Sequence, residues 1–448
     1  MTRIKGALAG LGVAALLASA TVGGQALRRP DAPARAPIEA ASTLLPATQA
    51  LFDGYVRDGK MPGIVAAFGV GDSPPMIVAA GRIATDPGAA PATADSLWRV
   101  YSMTKPVTAV AAMALIEEGR IGLDDPVAKY IPAFAHMRVL TSPDTSLASV
   151  PATRPITIRM LLTHTAGLSY NITARGPLLR EYERLGILPA AVSTPLERLM
   201  RRARPTSLAQ FADRAAQLPL IAEPGTRWNY SIGLDIMGRV IEVASGMPFD
   251  RFVQTRLFAP LGMRSSFWTV PPADVGRFAT NYSLAGDTLT PLDPAARSVY
   301  LQPPSFPYGG AGLVMSARDY DRFLHMLANA GELDGVRVLR PDTVRLALSN
   351  LLPAGVTYRG VSGTTGGTRA AVPMGYGAGG SVYLADGPGG SPSKGTYGWG
   401  GIAGTVAFVD PVKRIRGTIM VNYIPADRWP VREQTVRALA TDLARFRR

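Results

Sequence analysis

The sequence predicts a mixed fold, α+β or α/β, in which one antiparallel sheet is built from N- and C-terminal segments. Helices flank that sheet, and an all-helical lobe is inserted between its two halves. Three observations lead there. Apolar runs of strand length occur near both ends of the chain, at residues 64–70 and 76–80 and again at 404–409 and 417–423. Between them lie stretches of helical period with no strand alternation. The chain has 448 residues, 47% of them hydrophobic, which is enough for one large core.

The elements follow in order. Leu51 to Arg57 reads as a short amphipathic helix leading into Pro62-Gly63. The runs at 64–70 and 76–80 are separated by Gly71-Asp72-Ser73-Pro74-Pro75, a hairpin signal. Residues 106–118 are apolar nearly all round and stop at Gly119, so this helix should be buried. Leu234, Met237, Val240, Ile241 and Ala244 form one face of another helix, closed by Gly246. Ser316 followed by Asp319 is a capping signature, with Tyr320, Phe323, Leu324 and Leu327 as the inward stripe. Two strands then flank a turn at Asp410-Pro411, and a final helix covers 431–446. The expected organisation is one domain over 46–448, with the helical lobe spanning roughly 96–300.

The N-terminus reads as a targeting segment. Arg3 and Lys5 precede an uncharged run from Ala7 to Val22, and small residues offer cleavage after Ala20 or Ala26. Residues 1–26 are therefore expected to be a signal peptide and 27–45 an extended linker, with export to the periplasm or medium and no stable membrane span afterwards. The chain contains no cysteine, which excludes thiol nucleophiles, disulfides and thiolate metal sites. The net charge of +14 comes from scattered arginines, with only six lysines among 47 basic residues. No basic stripe forms, so nucleic acid is not an expected partner. His136, His164 and His325 are far apart and make no zinc motif, so neither a metal nor a cofactor is expected; His164 reads as a hydrogen-bonding loop residue.

Chemistry enters at Ser102-Met103-Thr104-Lys105. The i, i+3 spacing sets both side chains on one helix face, with Ser102 at the N-terminus, where free amides favour developing negative charge. A serine hydroxyl is a weak nucleophile, and a partly desolvated lysine can activate it. The spacing alone is not decisive, because Ser391-Pro392-Ser393-Lys394 repeats it in a Gly- and Pro-rich stretch with no helix.

The surroundings of Ser102 add specificity. Leu97-Trp98-Arg99-Val100-Tyr101 stands upstream, followed by Leu161-Leu162-Thr163-His164-Thr165-Ala166-Gly167-Leu168 and by Glu223-Pro224-Gly225-Thr226-Arg227-Trp228-Asn229-Tyr230-Ser231. Gly309-Gly310-Ala311-Gly312-Leu313 and Trp399-Gly400-Gly401-Ile402-Ala403-Gly404-Thr405 come later. In this order the segments resemble the serine β-lactamase and penicillin-binding-protein superfamily over roughly residues 48–440. Within it they are most similar to class C β-lactamases and family VIII carboxylesterases. The resemblance implies that Ser102, Lys105 and Tyr230 are catalytic, with Tyr230 as a phenolate base supported by the Lys105 ammonium. It also implies an oxyanion hole from the amides of Ser102 and Ile402, and a substrate-binding strand edge at Trp399, Gly400 and Gly401.

Two positions depart from the lactamase pattern. Ile232 replaces the asparagine that would hold an acylamino carbonyl, and Trp399 replaces the lysine that would pair with the β-lactam carboxylate. Lys394 is the nearest substitute cation in sequence. Residues 170–205, including Tyr170, should form a cap or cleft wall. The expected function is an acyl-enzyme serine hydrolase acting on short or medium acyl esters, with a small-molecule ester or amide as its partner. A β-lactamase or D-amino-peptide hydrolase, and a non-catalytic binding module on the same fold, are the alternatives.

Overall fold

The computed structural model describes residues 44–360 and 372–445. The expected signal peptide, 1–26, and the expected linker up to residue 43 lie outside the described residues. The last linker residue, Leu45, is already fully buried and opens helix α1 (Pro46–Arg57).

Seven antiparallel strands make the main sheet: β1 (Gly63–Val70), β2 (Met76–Gly81), β3 (Met374–Tyr376), β4 (Ser381–Tyr383), β5 (Tyr397–Gly400), β6 (Val406–Asp410) and β7 (Ile415–Met420). Their order is β3-β4-β5-β6-β7-β1-β2. The N-terminal hairpin thus zips onto the C-terminal strands, with Val65 opposite Met420 and Val70 opposite Ile415. Both faces of β1 are covered, which explains its unbroken apolar run. Val65 and Ala67 face the main core, whereas Ile64, Ala66 and Phe68 face a second cluster with Phe52 of α1 and Leu439 of the last helix.

That last helix, α5 (Val431–Arg445), closes the fold from the other end of the chain. The α1 N-terminus lacks a cap of its own. The buried carboxylate of Asp442 supplies one, accepting the amides of Ala47 and Thr48 at 2.8 and 2.9 Å and the Thr48 hydroxyl at 2.7 Å.

Between the sheet halves lie helices α2 (Thr104–Glu117), α3 (Gly233–Ser245) and α4 (Ala317–Ala328). Every residue of α2 from Thr104 to Leu115 is buried, as its uniform apolarity requires. Gly246 ends α3 with a φ of 71°, a left-handed cap that glycine takes without cost. Ser316 caps α4 through the Asp319 amide at 3.1 Å. The inserted lobe is helix-dominated but not all-helical. Short strands at Leu97–Arg99, Arg138–Leu140, Ser149–Pro151, Ser266–Phe267, Asn281–Ala285 and Thr288–Asp293 run through it. The first four are three residues or fewer, too short to leave an alternation in the sequence.

The strand Leu97–Arg99 delivers the chain to Ser102 and is clamped at Arg99. The Asn422 side chain accepts the Arg99 amide and donates to the Arg99 carbonyl, each at 3.0 Å. The Arg99 guanidinium, wholly buried, reaches the Asp293 carboxylate at 3.0 Å through Nε, the Ala279 carbonyl at 2.6 Å and Ser298 Oγ at 2.9 Å. It also lies 4.1 Å above the Phe278 ring. Removing one member of such a pair leaves the other buried and uncompensated. Arg99→Ala should therefore destabilise the fold by about 3–5 kcal/mol, read as a lower urea midpoint; an unchanged midpoint would show that this clamp is dispensable.

Candidate active site

The backbone bends sharply before Ser102. Tyr101 has a φ of 42°, a left-handed conformation that costs a non-glycine residue energy. Packing holds it there: the ring is 2% exposed and its hydroxyl accepts from Asn281 Nδ2 at 3.0 Å. Residues Tyr101–Met103 form a single 3₁₀ turn, and α2 starts at Thr104, two residues earlier than sequence periodicity indicates. Ser102 is partly exposed at the mouth of this turn.

Lys105 projects from the first turn of α2 and has no accessible surface. Its ammonium donates to Ser102 Oγ at 3.2 Å and to the Gly310 carbonyl at 2.7 Å. It also lies 4.6 Å from the centre of the Tyr230 ring and 5.4 Å from that of Tyr170. A cation buried this deeply needs such partners to offset lost hydration.

Tyr230 completes the arrangement, with its hydroxyl 2.6 Å from Ser102 Oγ. Aromatic rings fix its plane. Tyr170 stacks parallel at 5.4 Å, His164 meets it edge-on at 4.9 Å, and Trp399 and Trp228 pack at 5.7 and 6.2 Å. Its backbone is held as well: Asn229 donates from its amide to the His164 carbonyl at 2.9 Å and from Nδ2 to the Leu168 carbonyl at 3.0 Å.

His164 behaves as a hydrogen-bonding loop residue. Its Nδ1 accepts the Ser231 amide N–H at 3.2 Å, which puts the ring proton on Nε2. Burial, reinforced by the Lys105 charge, holds its pKa well below the ordinary histidine value, so the ring stays neutral. It therefore supports Tyr230 without acting as a base.

The far wall comes from β5 and the turn after it. A Cβ on Gly401 would meet the Val100 carbonyl at 2.5 Å, so only glycine lets this turn approach the Ser102 segment. Gly401 donates to the Thr405 carbonyl at 2.7 Å and Gly404 to the Gly401 carbonyl at 3.0 Å, leaving Ile402 at the turn's exposed corner. Among the described residues, the amides of Ser102 and Ile402 find no acceptor. Unpaired backbone amides are the kind of donor that can hold an oxyanion.

Two expected substrate contacts are placed differently. Ile232 has no accessible surface: it precedes α3, and its side chain turns into the main core, where an apolar group is more stable. Trp399 is 1% exposed and backs Tyr230 and Tyr376 rather than lining open space. Lys394 is exposed in a loop whose amide bonds Asp386, so the second Ser-x-x-Lys pair has no helix to join its side chains. Of the expected cap, Tyr170 stacks on Tyr230 and lies under Lys105, and Thr173 Oγ1 donates to the Tyr230 carbonyl at 3.4 Å.

Sequence reasoning missed Gly310 as the lysine's acceptor, and it missed Asp235. This buried carboxylate on α3 accepts the Gly310 amide at 2.8 Å, and burial raises its pKa to about 7. A signal was available: an acid inside the apolar run Leu234-Asp235-Ile236-Met237, five residues after Tyr230.

Comparison with known proteins gives the family. The beta-lactamase family profile matches residues 48–446. Protein Rv1367c of Mycobacterium tuberculosis is 33% identical over 343 residues, covering 75% of this chain and 79% of that one. Esterase EstB of Burkholderia gladioli is 31% identical over 401 residues, covering 85% and 91%. Among solved structures, EstCE1, a hydrolase with promiscuous acyltransferase activity, superposes with a TM-score of 0.69 at 26% identity, covering 89% of this chain and 99% of its own. A fold, a serine shared by a lysine and a tyrosine, and an esterase relative matched over most of its length converge, and the chain belongs to the beta-lactamase family as a serine hydrolase.

Proposed function

We propose that the protein hydrolyses short- or medium-acyl carboxylic esters through an acyl-enzyme formed on Ser102. One observation carries the reading: Ser102 Oγ lies within hydrogen-bond reach of both Tyr230 and Lys105, at 2.6 and 3.2 Å. In the working form the Tyr230 oxygen, as a phenolate beside the Lys105 ammonium, takes the serine proton as Oγ attacks the ester carbonyl. The oxyanion faces the amides of Ser102 and Ile402. Tyr230 then returns the proton to the departing alcohol, and water repeats the sequence to release the acid. An alcohol in place of water would give acyl transfer, which is the side activity named for EstCE1.

An ester is favoured over a β-lactam because the site has neither side-chain feature a lactam requires. Residue 232 is a buried isoleucine, and residue 399 is a buried tryptophan in place of a cation. A binding module would have no use for a lysine and a tyrosine both directed at one serine. The basic, apolar N-terminus supports an exported protein, periplasmic or secreted. No helix among the described residues is long and apolar enough to cross a membrane.

The mechanism is tested first at the nucleophile. Ser102→Ala should abolish hydrolysis of a nitrophenyl ester and fluorophosphonate labelling, with thermal unfolding nearly unchanged, while Ser391→Ala stays active. Retained hydrolysis in Ser102→Ala would reject the acyl-enzyme on this serine.

Tyr230→Phe and Lys105→Ala should each lower kcat at least about a hundredfold. Because they share one proton path, the double variant should be little worse than either. Strictly multiplicative losses would separate their roles.

For substrate class, kcat/KM for a nitrophenyl butyrate should exceed that for a cephalosporin by about a thousandfold or more, the handicap of an unpaired carboxylate and amide. Equal efficiencies would overturn the ester assignment.

A further inference from the structure

The proton path through Ser102, Tyr230 and Lys105 leaves one buried acid unused. Asp235 on α3 has no accessible surface and sits among Gly233, Leu234, Ile236 and Met237, all buried. Its Oδ1 accepts the Gly310 amide at 2.8 Å, and its Oδ2 has no partner among the described residues. The approach is close: a Cβ on Gly310 would meet Oδ2 at 2.4 Å. The same glycine accepts from Lys105 Nζ at 2.7 Å through its carbonyl. Gly310 is thus gripped at its N–H by the acid and at its C=O by the lysine. The Gly309 carbonyl is fixed too, by Thr108 Oγ1 of α2 at 2.7 Å.

A carboxylate is a costly choice for this task. Asparagine has the same shape and could accept the Gly310 amide without burying a charge or leaving a charged oxygen unpaired. The charge needs a reason, and its surroundings supply one. Lys105 of α2 is the cation that acts on Asp235. Tyr170 and Tyr308 are the other titratable groups that feel it, and both are pushed up, by burial first and then by charges that include Asp235. Leu161, Leu208 and Phe249 also pack close to α3, at Gly233 and Gly238.

We propose that Asp235 is a positioning residue of the acyl-transfer site: it fixes Gly310 at its N–H, and through the Gly310 carbonyl it fixes the Lys105 ammonium. This rests on the catalytic roles proposed for Ser102, Lys105 and Tyr230.

Asp235→Asn removes the charge and keeps an acceptor for Gly310, whereas Asp235→Ala removes both. Asp235→Asn should keep kcat on a nitrophenyl ester within about threefold of wild type, because Gly310 keeps its acceptor. Asp235→Ala should lose at least about tenfold in kcat, with KM within about twofold of wild type, as expected when a group acting in the reacting complex is misplaced. The wild-type carboxyl titrates higher when folded than when unfolded, so its stabilising contribution is complete below about pH 4 and is lost as pH rises through about 7. Asparagine does not titrate, so Asp235→Asn should unfold at the same or higher temperature than wild type at pH 8. A wild-type kcat in Asp235→Ala, or a loss in Asp235→Asn as deep as that in Asp235→Ala, would overturn the proposal. If Asp235→Asn does not fold, Asp235→Ser is read for the same kcat. Ser102→Ala run in parallel separates the two levels: if it stays active, the underlying reading fails, and if it is dead while Asp235→Ala keeps its kcat, only Asp235 loses its role.

Discussion

The constraint on which this structure depends is a lysine ammonium with no access to water. Lys105 is wholly buried, yet it must stay within reach of a hydroxyl that substrate can approach. Hydration lost on burial is replaced by a backbone carbonyl at 2.7 Å, two aromatic faces and a carboxylate one glycine away. These partners come from three parts of the chain: Gly310 from a loop after the lobe, Tyr170 from the expected cap, and Tyr230 and Asp235 from just before α3 and its first turn. The site is therefore a convergence that a folded core has to hold.

The scaffold holds it by pinning backbone on both sides of the nucleophile. Upstream, Asn422 brackets Arg99, and Asn281 keeps Tyr101 in its left-handed conformation. Both partners are distant in sequence, and Asn422 follows a strand that pairs with β1 near the N-terminus. Downstream, Tyr320 of α4 donates to the Met103 carbonyl at 2.9 Å, and Thr104 Oγ1 accepts the Leu313 amide at 3.1 Å. Strain at the residue before the nucleophile is thus offset by contacts from segments distant in sequence.

Much of this was legible in the sequence, and the exceptions have a common cause. The hairpin at 63–81, the buried α2, the amphipathic α3 and the Ser316 cap all follow from local periodicity and capping chemistry. Ser102 and Lys105 were readable because their spacing is set by one helix, and Tyr230 because a motif marks it. What stayed hidden depends on side-chain direction or distant contact. Ile232 looked like a cleft residue from its motif position, but its side chain turns into the core. The strands of two or three residues in the lobe and at β3 and β4 carry too few positions to alternate. Asp235 was concealed by sitting in an apolar helix face, where an acid is read as noise unless one asks what it is paired with.

The aromatic wall behind Tyr230 bears on selectivity. Trp228, Tyr376 and Trp399 pack around it with His164, and none of them is ionised at neutral pH: His164 is held neutral by burial, and the Tyr376 phenol is pushed well above its ordinary value. Such a wall holds Tyr230 in place without contributing a second charge. An incoming carboxylate would meet indole and phenol rings here and would place its charge close to the phenolate of the proposed mechanism. A neutral ester brings no such charge and can use the aromatic surface for its acyl or alcohol part. Replacing a lysine with Trp399 therefore does more than remove a contact. It leaves the proposed base beside Lys105, whose ammonium lies 4.6 Å from the Tyr230 ring centre and is held by a Gly310 that Asp235 fixes in turn.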